Sequence, residues 1–405
     1  MGKLKILFLA STDHTNLHGG YSVAVSHIEQ QLNILDDTSI ITTTNATDLE
    51  PVISYTNKQE NGFETNQIVQ DLIRINVDHQ IDPYLYFTAR TKKINSDKES
   101  SVINLWKSYT SEVLKRVETY PFDLIYAHDW PTFDIAKKLK NQTGRPLVTH
   151  IHSLDLDRIL GSERSWVYEV EKEVLAFSDH IIAVSHYTRE MICTHYDISR
   201  TKISTVYNAV DRTFYNRSLI KQNEQPFRQV LFVGRLTEQK NAMAMIDIAE
   251  KVLSKDTNVR FVIAGDGELR DAMVDTAASK NIGGNIHFTG FLPKDKLRLL
   301  YAQSDVLCMP SRSEPFGLVA LEAASMEIPV VLSMQSGAKE VLPDALVADC
   351  NHVEKFADHI LTVLDHPQKS KEMILNNSRA LKNIRWDNTA QNVLAILSKV
   401  ASQIS

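Results

Sequence analysis

Short unbroken apolar runs recur along the chain, each followed by a polar or glycine-bearing turn and then by apolar residues at helical spacing. In the first half Ile6–Ala10, Asp123–Ala127, Pro146–His152, Asp179–Val184 and Ile203–Tyr207 read as strands. In the second half the same reading falls on Gln229–Val233, Phe261–Ala264, Ile286–Thr289, Asp305–Pro310 and Ile328–Leu332. Between them the pattern predicts helices, the first with Val23, Ala24, Ile28 and Leu32 on one face. Others fall at about Leu105–Val117, 163–177, Ala242–Leu253, a stretch closing at Ser279, Leu297–Ala302 and Leu318–Met326, with a last one after Arg385 and Trp386. Strands alternating with helices pair in parallel. The rhythm starts twice, because Arg212–Arg228 is polar and carries Pro226. The expected organisation is an α/β unit over residues 1–211, a linker over 212–228, a second α/β unit over 229–385 and a closing helix within 386–405. Ile40–Asn104 resists ordering: β-like Ile40–Thr43 and Leu72–Ile75 stand among polar stretches, and Arg90–Ser101 reads as an exposed loop.

Composition fits this picture. The chain has 405 residues, 43% hydrophobic and 23% charged, enough for two full cores. A formal net charge of -6 gives no footprint for nucleic acid. Arg90, Lys92, Lys93, Lys98, Lys107, Lys115 and Arg116 are first of all a solvated basic face, although a peripheral membrane contact or an anionic acceptor stays open. No apolar run reaches the ~18 residues that span a bilayer. Ile6–Ala10 is also too short for the core of a signal peptide. Cys193, Cys308 and Cys350 lack metal-ligand spacing and are odd in number, so a reduced, cytoplasmic setting is expected. The oligomeric state is left open.

The chemistry concentrates at Ser311–Glu322, Ser-Arg-Ser-Glu-Pro-Phe-Gly-Leu-Val-Ala-Leu-Glu, which reads as the turn between a strand and a helix. Such a turn lies at the carboxyl end of a parallel strand, where ligands bind, and the new helix offers unsatisfied N–H groups to an anion. Glu314 and Glu322 bracket it, able to accept from hydroxyls, a combination that suits a nucleotide sugar. Gly234-Arg235-Leu236-Thr237-Glu238-Gln239-Lys240 follows another strand, so Arg235 and Lys240 can both reach a diphosphate. Gly265-Asp266-Gly267 repeats the device, and Gly19-Gly20 after the first strand lets a ligand approach the backbone. Two successive strands deliver His128 and Asp129, then His150 and His152, at their carboxyl ends, a site-like arrangement that puts His128, Asp129 and His150 on the acceptor side; a buried, hydrogen-bonded imidazole is an equal reading for His128 and His150.

With Glu-x7-Glu set in S-x-x-E-P-F-G-L-V-x-L-E-A, the chain resembles the retaining glycosyltransferases of the glycosyltransferase 4, glycogen synthase-like group. His128-Asp129-Trp130 and Thr149-x-His-Ser resemble the glycogen-synthase branch, and Asn208-Ala209-Val210-Asp211 resembles a family turn with Ala in place of Gly. The resemblance implies two Rossmann-like domains facing across a cleft (GT-B), with a C-terminal helix crossing back to the first. It implies that Arg235 and Lys240 contact the donor diphosphate and that Gly317, Leu318 and Val319, beside Phe316, supply N–H groups. Glu322 would accept from the ribose and Glu314 from the donor sugar. His152 would touch the reacting sugar, with His150 as a register ambiguity, and Gly19-Gly20 would lie against diphosphate and acceptor. No Asp-x-Asp metal site stands in a suitable place, so the expected reaction is metal-independent and needs no cofactor beyond the donor. Glucose is the favoured hexose and a saccharide or other hydroxyl compound the acceptor. A nucleotide-sugar 2-epimerase and a catalytically silent nucleotide-sugar binder are the alternatives.

Overall fold

The computed structural model describes residues 3–11, 19–35, 38–44, 55–60, 63–68, 72–76, 96–160, 164–217 and 226–403. Asn16–His18, Arg90–Asn95 of the expected loop, and 218–225 of the expected linker lie outside the described residues. In chain order the strands are β1 (Leu4–Leu9), β2 (Thr38–Thr44), β3 (Tyr55–Glu60), β4 (Phe63–Ile68), β5 (Leu72–Asn76), β6 (Leu124–His128), β7 (Leu147–Ile151), β8 (His180–Ala183) and β9 (Ile203–Thr205). They are followed by β10 (Arg228–Val233), β11 (Val259–Ala264), β12 (Ile286–Gly290), β13 (Val306–Met309), β14 (Val330–Ser333) and β15 (Leu346–Ala348). Among the described residues they form a seven-stranded sheet ordered β5-β2-β1-β6-β7-β8-β9, a six-stranded sheet ordered β12-β11-β10-β13-β14-β15, and the ribbon β3-β4. Both large sheets are parallel throughout and the ribbon is antiparallel. Covered on both faces by helices, parallel strands must be apolar at successive positions, and Ile6, Leu7, Phe8 and Leu9 are all fully buried.

Each sheet reverses its strand order where β1 meets β6 and where β10 meets β13, and a crevice opens at the carboxyl ends of the strands at such a point. The two halves also share apolar contacts. Phe8, Ile28 and Tyr126 of the first belong to one buried cluster with Leu307, Phe316 and Leu321 of the second. The helix Trp386–Ser402 adds Val393, Leu397 and Val400 to that cluster and packs on the helix Gly20–Ile34. There the His27 ring stacks on Trp386 with 4.8 Å between centroids, and the Thr389 hydroxyl donates to the Tyr207 carbonyl at 2.9 Å. This is the expected α/β architecture of two Rossmann-like halves and a terminal helix crossing back to the first. Among the described residues no helix is long and apolar enough to cross a membrane.

Two local expectations change. The helix expected over Leu105–Val117 runs Ser96–Val117, so the end of the presumed loop is helical. Its opening turn is polar and therefore has no apolar periodicity to betray it. Ala209, standing where the resembled family has Gly, avoids positive φ. The turn instead closes through the Asp211 carboxylate, which accepts from the Thr213 and Phe214 N–H groups at 3.0 and 3.1 Å.

Candidate active site

On the second half, the turn after β13 ends at Gly317, whose φ of 102° permits the abrupt start of the helix Leu318–Ser325. Glu314 is held by its backbone: its N–H donates to the Gln335 carbonyl and its own carbonyl accepts from Gly337 N–H, both at 2.9 Å. Its carboxylate, 7% exposed, pairs with the Lys240 ammonium and accepts from the Ser311 hydroxyl at 3.3 Å. Arg235 donates to the Gln239 side-chain oxygen at 3.0 Å, and Gln239 in turn donates to the Ser313 carbonyl at 3.3 Å. The structure therefore brings Arg235, Lys240 and Glu314 together at one helix N-terminus. Gly20 reaches the same place from the first half, since a Cβ on it would lie 3.7 Å from the Leu318 side chain. Gly265 and Gly267 serve close backbone packing. A Cβ would stand 1.9 Å from the Gly234 carbonyl oxygen in the first and 2.5 Å from that of Leu236 in the second.

Glu322 lies farther along the helix. It lines a cavity of about 220 Å³ with His27, Asp211, Tyr215, Lys294, Leu318 and Trp386. The Tyr301 hydroxyl donates to it at 2.9 Å and Tyr215 bonds it as well. Burial raises its carboxyl above the ordinary range, against the pull of these hydroxyls and of Lys294. Both tyrosines were without a signal in the sequence, because nothing in a residue's neighbours tells which carboxylate its hydroxyl will meet.

On the first half, β6 and β7 pair so that His128 lies opposite His150, and His152 follows two residues on. His150 is fully buried and its Nδ1 meets the Tyr126 hydroxyl at 2.6 Å, so the imidazole is hydrogen-bonded inside the sheet. His128 is likewise fully buried and stands behind His152, with Nδ1 2.9 Å from His152 Nε2. His152 is 7% exposed and edge-on to Tyr21, whereas His150 is fully enclosed. Burial pushes the His152 imidazole down to about 3. Asp129, at φ 53°, accepts from His152 N–H at 2.7 Å and lies 3.9 Å from the buried Arg158 guanidinium. Burial pushes its carboxyl up to about 7, against the opposing attraction of Arg158. Asp129 thus supports the loop of His152 from behind.

Among the described residues, His128, His150 and His152 form the one group of three whose ligand atoms lie close enough to share an ion, within 4.8 Å of one another. Their rings are inclined at 24–35° to one another. Two of the six ring nitrogens also face each other, and a third faces Tyr126.

Sequence reasoning missed the contacts that join the halves. The Ser313 hydroxyl donates to Asp157 at 2.5 Å and meets the Tyr187 hydroxyl at 3.0 Å, and Glu340 accepts from His186 and Tyr187 N–H.

Residues 215–380 match the family model described as Glycosyl transferases group 1, and residues 90–214 that of Glycosyltransferase Family 4. An uncharacterized glycosyltransferase of Methanocaldococcus jannaschii is 30% identical over 301 residues, which cover 70% of this chain and 76% of that one. Sucrose-phosphate synthase from Thermosynechococcus elongatus superposes with a TM-score of 0.76 at 17% identity, over 99% of this chain and 100% of its own. Anabaena HepE, solved in complex with UDP and glucose, does so with a TM-score of 0.69 at 17% identity, over 98% and 100%. At these identities the structural likeness speaks for the fold alone.

Proposed function

Because the chain belongs to the family 4 glycosyltransferases of GT-B fold, we propose that it moves a hexose, with glucose favoured, from a nucleoside-diphosphate sugar to a saccharide or other hydroxyl acceptor. The transfer retains anomeric configuration and uses no metal. The observation that carries this reading is the meeting of Lys240, Arg235 and Glu314 at the N-terminus of the helix Leu318–Ser325. The helix N–H groups and the two cations take up negative charge as the bond from the anomeric carbon to the diphosphate oxygen breaks and its electron pair stays with the diphosphate. The acceptor oxygen bonds to the same face of that carbon, and its proton passes to the departing diphosphate. Glu314, which pairs with Lys240, accepts from hydroxyls of the donor sugar as the diphosphate takes up the ammonium. His152, neutral because buried, offers a hydrogen-bonding imidazole to the sugar. The cavity beside Glu322 takes the ribose. Glucose as donor sugar draws support from the His128-Asp129-Trp130 and Thr149-x-His-Ser motifs.

The test is nucleoside-diphosphate release from UDP-, ADP- and GDP-sugars, with and without oligosaccharide acceptors and with and without EDTA, with NMR of the product's anomeric proton. One donor should be consumed only with an acceptor, unaffected by EDTA, to give a product of unchanged anomeric configuration. Lys240→Ala should lower kcat about 10²-fold, as for the loss of one preorganised charge contact. Turnover of a donor alone, with a 2-epimer appearing, overturns the reading in favour of an epimerase.

A further inference from the structure

We propose that Glu340 is a positioning residue, a carboxylate latch on the second half that caps a helix of the first half. In doing so it fixes the register in which the turn carrying Glu314 meets the loop following His152. The function of the latch rests on the transferase reading above; its existence does not.

The helix His186–Tyr196 begins with N–H groups that have no intrahelical acceptor. The Ser185 hydroxyl takes only that of Thr188, at 2.9 Å. The two remaining at the start, His186 N–H and Tyr187 N–H, each donate at 2.8 Å to a different oxygen of Glu340. The Tyr207 hydroxyl bonds the same carboxylate. All three donors belong to the first half of the chain, whereas Glu340 closes the short helical turn Gly337–Glu340 after β14. An anion at a helix start is favoured by the dipole, and here the anion is supplied across the cleft.

Neighbouring contacts specify the same register. Ser185 donates to the Pro315 carbonyl at 2.5 Å and Thr188 does so at 3.3 Å. Ser313, immediately before Glu314, sits between Tyr187 and Asp157. Asp157 in turn accepts from Leu154 N–H at 2.7 Å, in the loop after His152. Gly337 allows no side chain, since a Cβ would come within 2.3 Å of the Pro315 carbonyl oxygen and 2.7 Å of Ser185 Cβ. One helix start therefore receives both turns of the second half, the one holding Glu314 and the one ending at Glu340. Catalysis that depends on groups from both halves is sensitive to displacements of about 1 Å, which cost up to ~10²-fold in rate.

The experiment compares the full-length protein with Glu340→Ala and Glu340→Gln. The glutamine keeps the size but offers one oxygen and sets an NH2 group against an N–H donor. Small-angle scattering with and without UDP or ADP reads the closure directly, and kcat and donor KM read its use. Both variants should scatter as more extended particles than the wild type, with kcat about 10²-fold lower and donor KM within about threefold. Intact secondary structure by circular dichroism confirms that folding is not at issue, and glutamine serves if alanine fails to fold. Superimposable scattering with wild-type kcat in a folded variant overturns the latch. If the wild type turns over no donor while both variants still expand, the latch stands and the transferase reading falls.

Discussion

Burial drives Asp129 and His152, joined by a hydrogen bond from the His152 N–H, in opposite directions, the carboxyl up to about 7 and the imidazole down to about 3. A carboxyl that ionises near ~4 unfolded and near 7 folded holds more protons in the folded state between those values. Its contribution is favourable in acid and is lost as pH climbs through that window. The imidazole titrates near ~6.5 when unfolded, so its contribution is complete above that pH and is lost as pH falls toward 3. Between ~4 and ~6.5 the two trends oppose each other. Asp129→Asn removes only the first, keeping an oxygen for the His152 N–H while giving up ionisation. The melting temperature of the variant relative to the wild type should therefore rise from pH 5 to about pH 7 and level off by pH 8, whatever the offset from the lost attraction to Arg158. Thermal unfolding across a buffer series measures it, and a flat difference would place the Asp129 carboxyl in the ordinary range.

Strands and turns are where the sequence is most explicit. Parallel strands covered on both faces are near-continuously apolar, so β1, β6, β7, β10, β11 and β13 stand out as runs, and each delivers its turn to the carboxyl edge of its sheet. Arg235, Lys240, Glu314 and His152 were legible for that reason. Ser96–Val117 was half legible, because its apolar periodicity begins only at Val102. Asp157, Tyr187 and Glu340 were illegible as partners, because their contacts arise only when two separately folded sheets dock. Glycines tell a mixed story. Gly317 is needed for its backbone angle, but Gly265, at φ 138° and with the Gly234 carbonyl where a Cβ would go, holds two strand ends together. Gly265→Ala should cost about 1–3 kcal/mol, in the range of an overpacked core. Urea unfolding checks this, with a lower midpoint at unchanged slope; an unchanged midpoint would mean that the 234–236 turn yields freely.

At the scale of the whole molecule, one apolar cluster runs through both halves and the helix Trp386–Ser402, so the halves are coupled rather than tethered. Trp386 is 6% exposed, stacks on His27 and lines the cavity next to Glu322. Trp386→Ala should cost about 3–5 kcal/mol, as truncation of a buried tryptophan does. Calorimetry should show the wild type unfolding in a single transition and the variant in two resolved ones. Two transitions already in the wild type would contradict the coupling. The crossing helix also sets a timetable for synthesis. Gly20–Ile34 leaves the ribosome early, and the face on which Trp386–Ser402 packs stays bare until residues 386–402 have followed. At ~5–20 residues per second that interval is roughly 20–70 s. For that time the nascent first half carries an uncovered apolar strip, an invitation to holdase chaperones that only the arrival of the distant helix withdraws.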